Sequence, residues 1–149
     1  MAPADKPLVW LAGEVRTPPF SASARVEAGF LLRRLQRGES LGMPHARAMP
    51  SVGRRCLELR IRDATKNWRI MARIDADAVV VAEVFEKKSR TTPRKVIAAC
   101  KDRLRLYDEI ATDKPCLAEG YITVTTLHFD MTDYEKMQRL REIEWGIQP

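Results

Sequence analysis

Two neighbouring runs of the sequence place charged and apolar side chains at alternate positions. The charged members are Glu58, Arg60, Arg62, Arg69 and Arg73. A period of two is typical of a half-buried antiparallel strand, so we expect these five side chains to project from one face of a sheet. Guanidinium groups suit phosphate because their forked donors bind two oxygens at once and stay charged. The pattern therefore predicts a phosphate-binding sheet face.

Further basic residues flank the predicted strands. Arg54 and Arg55 precede the first strand of the meander, and Lys87, Lys88 and Arg90 follow its third strand. If the ligand is RNA, we expect a set of contacts to its backbone around the charged face. That set comprises His45, Arg54, Arg55, Arg62, Arg73, Lys87 and Arg90.

The same groups permit binding, catalysis or neither. As a binding surface, the cations would neutralise phosphates with salt-sensitive, sequence-independent affinity. As a catalytic surface, they would stabilise the charge that develops when a 2′-hydroxyl attacks the adjacent phosphorus, which cuts RNA without a metal ion. Glu58, ionised between arginines, is then either the general base or a holder of Arg60 and Arg69. His45 is a second acid or base candidate, and a solvated charged face is the alternative that involves no ligand.

Hydrophobic periodicity and turn residues divide the chain into strands and helices. The predicted strands are 8–15, 56–62, 68–74 and 79–85. The predicted helices run from Ser21 or Ser23 to residue 37, with Gly38 at the C-terminal end, and over 94–110, with a loop or a short helix and turn at 38–53. This order indicates an α+β fold, in which N-terminal helices pack on a mainly antiparallel sheet of about four strands and a C-terminal helix covers it.

Charge divides the chain into two parts. Of its 149 residues, 26 are Lys or Arg and 20 are Asp or Glu, and residues 1–112 hold 22 of the former and 13 of the latter. Residues 113–149 are therefore net acidic, with a predicted strand at 121–129 and a helix at 134–145. We expect one domain over 1–112 and a β-α extension over 113–149, which either completes the structure or lies across the basic face and damps activity.

Cysteine and histidine usage argues against a metal centre or a secreted protein. Cys56, Cys100 and Cys116 are widely spaced, and an odd count without a CxxC pair favours reduced structural thiols. Only two histidines are present, and no metal set or cofactor motif is visible. No signal peptide and no run of transmembrane length is found, so we expect a cytoplasmic protein that does not bind a membrane.

Four runs of the sequence together resemble a known toxin family. They are PLVWLAGEVRTPPFS, ARVEAGFLLRRLQRGESLGMPHARAMPSVGRRCLELRI, WRIMARIDADAVVVAEVFEKK and TPRKVIAACKDRLRLYD. Over about residues 7–110 the chain resembles the phage-derived HigB-like proteins of the RelE toxin superfamily. The resemblance implies a RelE-like fold and an mRNA endonuclease that needs no metal ion and usually acts on the translating ribosome. It also implies neutralisation by a cognate helix-turn-helix antitoxin.

The resemblance also implies roles for individual residues. The superfamily's most persistent catalytic arginine falls on Arg69, a basic residue after the last strand falls on Lys88, and the arginine of the ELR run is Arg60. The chain departs from the RelE pattern where that branch places lysines, because Cys56 and Glu58 stand there. Residues 113–149 lie outside the resemblance.

The sequence therefore supports two hypotheses of different classes. The first is the toxin of a type II toxin–antitoxin module, an endoribonuclease that cleaves mRNA on the ribosome with Arg69, Lys88, Arg60 and Glu58 as catalytic residues. The second is a non-catalytic phage-derived protein that uses the basic sheet to bind nucleic acid or a host factor.

Overall fold

A computed structural model describes residues 4–112, which form a five-stranded sheet with one helix on each face. The strands are β1 (Leu8–Trp10), β2 (Ala46–Ala48), β3 (Cys56–Arg62), β4 (Asn67–Ile74) and β5 (Val79–Glu86). The helices are α1 (Ala22–Gln36) and α2 (Arg94–Thr112). The strand and helix predicted within 113–149, and the domain boundary before them, lie outside the described residues.

The strands are arranged in the order β1-β5-β4-β3-β2. The three meander strands pair antiparallel as predicted, whereas β1 pairs parallel with β5, with Leu8 opposite Val79. The predicted α+β class is confirmed. The predicted sheet of about four strands is corrected to a mixed sheet of five, and a single helix precedes the meander.

β2 is the strand that the sequence did not predict. The sequence predicts a loop or a short helix and turn over 38–53, because the Ala-Arg-Ala run at 46–48 has no β-forming signal of its own. In the structure Ala46–Ala48 pair with Leu57–Leu59 along the edge of β3. The neighbouring strand, rather than local propensity, therefore determines this element.

Helix α1 begins and ends where capping residues allow. The side chain of Ser21 accepts a hydrogen bond from the backbone N–H of Ala24 at 3.1 Å, which decides between the two predicted caps. After the helix, Gly38 has a φ of 80°, a left-handed conformation that favours glycine. The helical spacing of five apolar residues predicts one buried stripe, and the structure buries all of them: Ala24, Ala28, Leu31, Leu32 and Leu35.

Strand β5 is covered on both faces, as its continuous apolar sequence predicts. Val79 and Val81 pack in the core beneath α1, together with the predicted apolar faces of β3 and β4. Val80 and Ala82 pack in a second core with Cys100 and Leu104 of α2. The sheet face that alternation predicts to be charged is thus partly an apolar surface on which α2 packs.

Helix α2 begins at Arg94, as predicted. The Thr-Thr-Pro run at 91–93 predicts a hydroxyl cap for this helix, and that cap does not form. The carbonyl of Pro93 accepts hydrogen bonds from Val96 and Ile97. The hydroxyl of Thr92 instead donates to Glu58. Neither helix in residues 4–112 is long and apolar enough to cross a membrane.

Two aromatic rings join the N-terminus of α1 to the sheet. The centroids of Phe20 and Trp68 lie 4.2 Å apart at an interplanar angle of 17°, and both residues are buried. Trp68 is therefore a core residue, as its position in the alternating pattern indicates. Stacked pairs of this kind stabilise a core beyond the area they bury.

We predict that Phe20→Ala lowers the free energy of unfolding by about 3–5 kcal/mol, because it leaves a cavity against Trp68. Urea denaturation measures the change. The control is Phe30→Ala in α1, whose side chain is mostly exposed, and which should cost less than about 1 kcal/mol. Equal losses for the two variants would contradict the assignment of Phe20 to the core.

A carboxylate ties the β3–β4 turn to the start of α1. Asp63 accepts hydrogen bonds from the backbone N–H of Ser21 at 3.0 Å, from that of Ala64 at 2.8 Å and from the indole of Trp68 at 3.3 Å. These donors, with Ser21 the strongest, lower the pKa of Asp63 to about 2 because they favour the ionised form.

We predict that the stability difference between the wild type and Asp63→Asn depends on pH in acid. Because the folded-state pKa of Asp63 is lowered, its stabilisation is present above about pH 4 and is lost as the pH falls towards 2. Chemical denaturation of both proteins between pH 2 and 7 measures the difference in their free energies of unfolding. The contributions of all other carboxylates are common to both proteins and cancel in this difference. A difference that stays constant over this range would contradict the assignment.

Candidate phosphate-binding cleft

A concavity of about 420 Å³ lies where β3 and β4 extend beyond the short strand β2. Its lining residues are Glu27, Met43, Pro44, His45, Arg60, Arg62, Asn67 and Arg69. We call it the arginine cleft. It brings together three of the predicted arginines with His45, which the sequence places in a loop.

Arg60 and Arg69 lie directly opposite each other on β3 and β4. Like charges in this position repel. Burial lowers the pKa of Arg69, the neighbouring Arg60 lowers it further, and Glu58 opposes both effects. An anion between the two guanidinium groups would relieve the repulsion, so the arrangement favours a phosphate ligand.

Each of the two arginines keeps a donor available. Arg69 donates from Nη1 to the carbonyl of Trp68 at 2.8 Å, and Arg60 directs Nη1 at the sulfur of Met43 at 3.5 Å. The Nη2 atoms of both residues make no hydrogen bond within residues 4–112. The cleft therefore presents two guanidinium donors to a ligand.

Glu58 lies beneath the cleft and has no exposed surface. Its carboxylate accepts a hydrogen bond from the Thr92 hydroxyl at 2.7 Å, and it lies 3.4 Å from Arg69 Nε and 3.7 Å from Lys87 Nζ. We call these four residues the Glu58 cluster. A buried charge is tolerated only when it is paired, and here two cations pair it.

The burial of Glu58 separates the two roles that the sequence left open. A general base must approach the proton it removes, either directly or through one water molecule. A carboxylate with no exposed surface, enclosed by Arg69, Lys87 and Thr92, is instead placed to hold those side chains. The geometry thus favours the positioning role for Glu58.

A β-bulge determines which lysine reaches this cluster. Between Met71 and Ala72 of β4 the register with β5 shifts by one residue, so Met71 faces Glu83 whereas Ala72 faces Val81. The shift reverses the alternation of the last part of β5. Lys87 therefore lies against Glu58, and Lys88, the predicted catalytic lysine, is exposed on the chain that leaves β5.

Arg73 serves the packing of α2. It donates to both oxygens of Asp75 at 2.8 and 2.9 Å and to both oxygens of Asp108 at 2.9 and 2.6 Å. The hydrogen bonds that Arg73 donates to Asp108 are the main reason that the pKa of Arg73 is raised. Its guanidinium is thus engaged within the protein, which argues against the RNA contact predicted for Arg73.

The remaining predicted cations are dispersed. Arg54 and Arg55 lie at the start of β3, beside a separate concavity of about 540 Å³ near α2. Cys56, which lines that second concavity, is four steps along β3 from Arg60 of the arginine cleft, a distance of roughly 13 Å. Arg90 is exposed in the turn before α2. The single cationic surface that alternation predicts is therefore two separate regions, with α2 packed on the sheet between them.

Sequence reasoning missed three groups of the site. Asn67 lies two residues before Arg69 on the same strand face, so the alternating pattern itself could have indicated it. Thr92 was assigned to a helix cap, and Glu27 carries no signal, because a carboxylate on a helix surface is ordinarily solvated.

The two described cysteines are buried and unpaired by disulfides. Burial raises the pKa of both thiols, that of Cys100 to about 12. Their burial agrees with structural rather than reactive thiols. Within residues 4–112, no three His, Cys, Asp or Glu side chains are grouped as metal ligands.

Comparison with known proteins identifies one family over most of the described chain. Residues 19–105 match the family model described as phage derived protein Gp49-like. The matched range contains every residue that lines the arginine cleft and all four members of the Glu58 cluster. No solved structure matches the chain.

Short matches to curated proteins are also found. The chain is 44% identical over 36 residues to the 5′-nucleotidase SurE of Pelotomaculum thermopropionicum, and 58% identical over 33 residues to SurE of two Nitratidesulfovibrio vulgaris strains. These matches cover 24% and 22% of this chain, and the chain spans only 14% and 13% of those relatives. Each match therefore concerns a short segment of both proteins.

We predict that Lys87→Met and Lys88→Met differ in stability. Lys87→Met should lower the free energy of unfolding by roughly 1–3 kcal/mol, because the buried carboxylate of Glu58 loses one of its partners. Lys88→Met should stay within about 0.5 kcal/mol of the wild type, since its side chain is exposed. Thermal and urea unfolding measure both. The reverse order would show that the bulge does not set the alternation as described.

Proposed function

Because the chain belongs to the phage-derived Gp49-like protein family, we propose that it is a toxin of the RelE superfamily whose arginine cleft cleaves mRNA. The family fits a toxin-like protein, and the resemblance of residues 7–110 to HigB-like toxins extends this to endoribonuclease activity without a metal ion. The single observation that carries the proposal is the pair of opposed guanidinium groups of Arg60 and Arg69 in one cleft.

The proposed reaction uses the 2′-hydroxyl of the RNA as nucleophile. Its oxygen attacks the adjacent phosphorus, the bond to the 5′-oxygen of the next nucleotide breaks, and a 2′,3′-cyclic phosphate remains. Negative charge increases on the phosphate oxygens in the transition state. The Nη2 groups of Arg60 and Arg69 would bind those oxygens, and preorganised donors of this kind typically contribute about 10²–10³ in rate.

Proton transfer would involve a group that can reach the substrate. His45 lines the cleft and is exposed, and an imidazole can accept the 2′-hydroxyl proton or donate one to the leaving 5′-oxygen. Glu58 would act on the reaction through Arg69, which it orients. In this scheme Arg69 and Arg60 are catalytic residues and Glu58 and Lys87 are positioning residues.

The proposed partners follow from the exposed cations. Arg54, Arg55, Arg62, Lys88 and Arg90 are exposed on the surface and could contact the backbone of mRNA or ribosomal RNA. A cognate helix-turn-helix antitoxin, implied by the family resemblance, would neutralise the toxin. An antitoxin gene beside this one would support the module.

A second candidate function is supported by the burial of Glu58. Since the one carboxylate in the charged row is sealed from solvent, catalysis depends on His45 alone among the sequence-predicted proton carriers. If His45 does not transfer protons, the cleft is a phosphate-binding site. The protein would then be a non-catalytic phage-derived protein that binds nucleic acid or a host factor.

The test of function is inducible expression in bacteria of the wild type and Arg69→Ala, with growth and transcript 5′ ends followed together. The wild type should stop growth and create new 5′ ends. Arg69→Ala should lower the abundance of these ends by at least about 10²-fold and should allow growth to continue. The matched control is Arg16→Ala, because Arg16 is exposed, pairs with Glu14 and lies outside the cleft. It should behave as the wild type.

Folded, abundant wild type that neither slows growth nor creates new ends would overturn the nuclease proposal. Salt-dependent RNA binding by that same protein, lost in Arg69→Ala, would then favour the non-catalytic function. Soluble expression and circular dichroism establish that each variant is folded.

A further inference from the structure

One side chain of the arginine cleft has no place in phosphate binding. Glu27 projects from α1 into a site lined by three arginines, yet it makes no ion pair and no hydrogen bond within residues 4–112. It is only partly exposed. A carboxylate beside a phosphate weakens binding by repulsion, so a phosphate-only site would be better without it.

A carboxylate offers two hydrogen-bond acceptors side by side, and RNA bases differ in what they present to it. Guanine presents two adjacent donors, N1–H and the 2-amino group, which pair with both oxygens. Adenine and cytosine present an amino group beside a ring nitrogen whose lone pair repels the second oxygen. Uracil presents one N–H between two carbonyl oxygens. Guanine is therefore the base that a lone carboxylate recognises best.

The rest of the cleft agrees with a nucleotide rather than a phosphate alone. Its volume of about 420 Å³ falls within the range of roughly 300–1,000 Å³ that is usual for small-ligand sites. Met43 and Pro44 add exposed apolar surface against which a base can lie, and sequence-specific RNA binding uses such unstacked bases. The amide of Asn67 makes no side-chain hydrogen bond within the described residues and is available to a base or sugar.

We propose that Glu27 reads guanine, accepting hydrogen bonds from its N1–H and 2-amino groups, while Arg60 and Arg69 bind the adjoining phosphate. The inference rests on the proposed function only in placing RNA in the cleft. It adds the base preference of the site, which follows from the one unpaired carboxylate among its cations. A bidentate pair of this kind discriminates by roughly 5- to 150-fold.

The test measures binding of the purified full-length protein to four pentanucleotides by fluorescence anisotropy. Their sequences are UUGUU, UUIUU, UUAUU and UUUUU, where I is inosine. Inosine keeps the N1–H of guanosine but lacks its 2-amino group. All four oligonucleotides carry 2′-O-methyl groups, so that they are not cleaved. UUGUU should bind at least about fivefold more tightly than UUAUU and UUUUU, with UUIUU between them.

Variants assign the preference to the side chain. Glu27→Gln should bring the four affinities to within about twofold of one another, and Glu27→Ala should also bind UUUUU more tightly than the wild type does, since the repulsion of phosphate is removed. Glu14→Gln is the matched control, because Glu14 is exposed and lies outside the cleft. It should keep the preference for guanine.

Equal binding of the four oligonucleotides by the wild type would overturn the inference, as would a preference for guanine that survives in Glu27→Gln. The comparison of guanosine with inosine tests the same contact on the ligand side and needs no variant to fold. A guanine preference in a protein that cleaves no RNA would uphold base recognition and reject the nuclease proposal. Cleavage of RNA by a protein that shows no preference for guanine would uphold the nuclease proposal and reject base recognition by Glu27.

Discussion

The structure depends on one buried carboxylate. Glu58, enclosed between Arg69 and Lys87 and bonded to Thr92, supplies the negative charge that allows two arginines to face each other on adjacent strands. The four residues of this cluster come from β3, β4, the end of β5 and the turn before α2. One charge interaction therefore connects most of the sheet with the start of its covering helix, and it sets the position of the cleft's central guanidinium.

Helix α2 explains why basic residues on one sheet face do not form one surface. Its apolar side chains cover Met71, Val80 and Ala82. Polar contacts beside this apolar surface also hold the helix on the sheet. Arg73 on the sheet binds Asp108 of the helix, and Arg103 of the helix binds Glu83 at 2.7 Å on the bulged strand. Some cations thus serve packing, and those beyond the reach of α2 remain available to a ligand.

The period of two in β3 and β4 allowed the antiparallel sheet and its apolar face to be predicted. It also placed Arg60 and Arg69 on the same face, because it determines the face of each residue. That Lys87 rather than Lys88 lies against Glu58 could not be predicted. A bulge is a matter of register between strands, and the sequence of β5 carries no glycine or proline to mark it. Strand β2 and the bond from Thr92 to Glu58 were missed for the same reason, since both depend on a partner distant in sequence.

The parallel pairing of β1 with β5 has a consequence for the order of folding. Leu8 and Val79 are separated by about 70 residues, whereas β3 and β4 are joined by a four-residue connection. Closing the longer loop costs more chain entropy, so contacts within the hairpin can form first. The opposed arginines would then meet early, before β1 joins the sheet. The strand nearest the N-terminus would then join a sheet in which Arg60 and Arg69 already face each other.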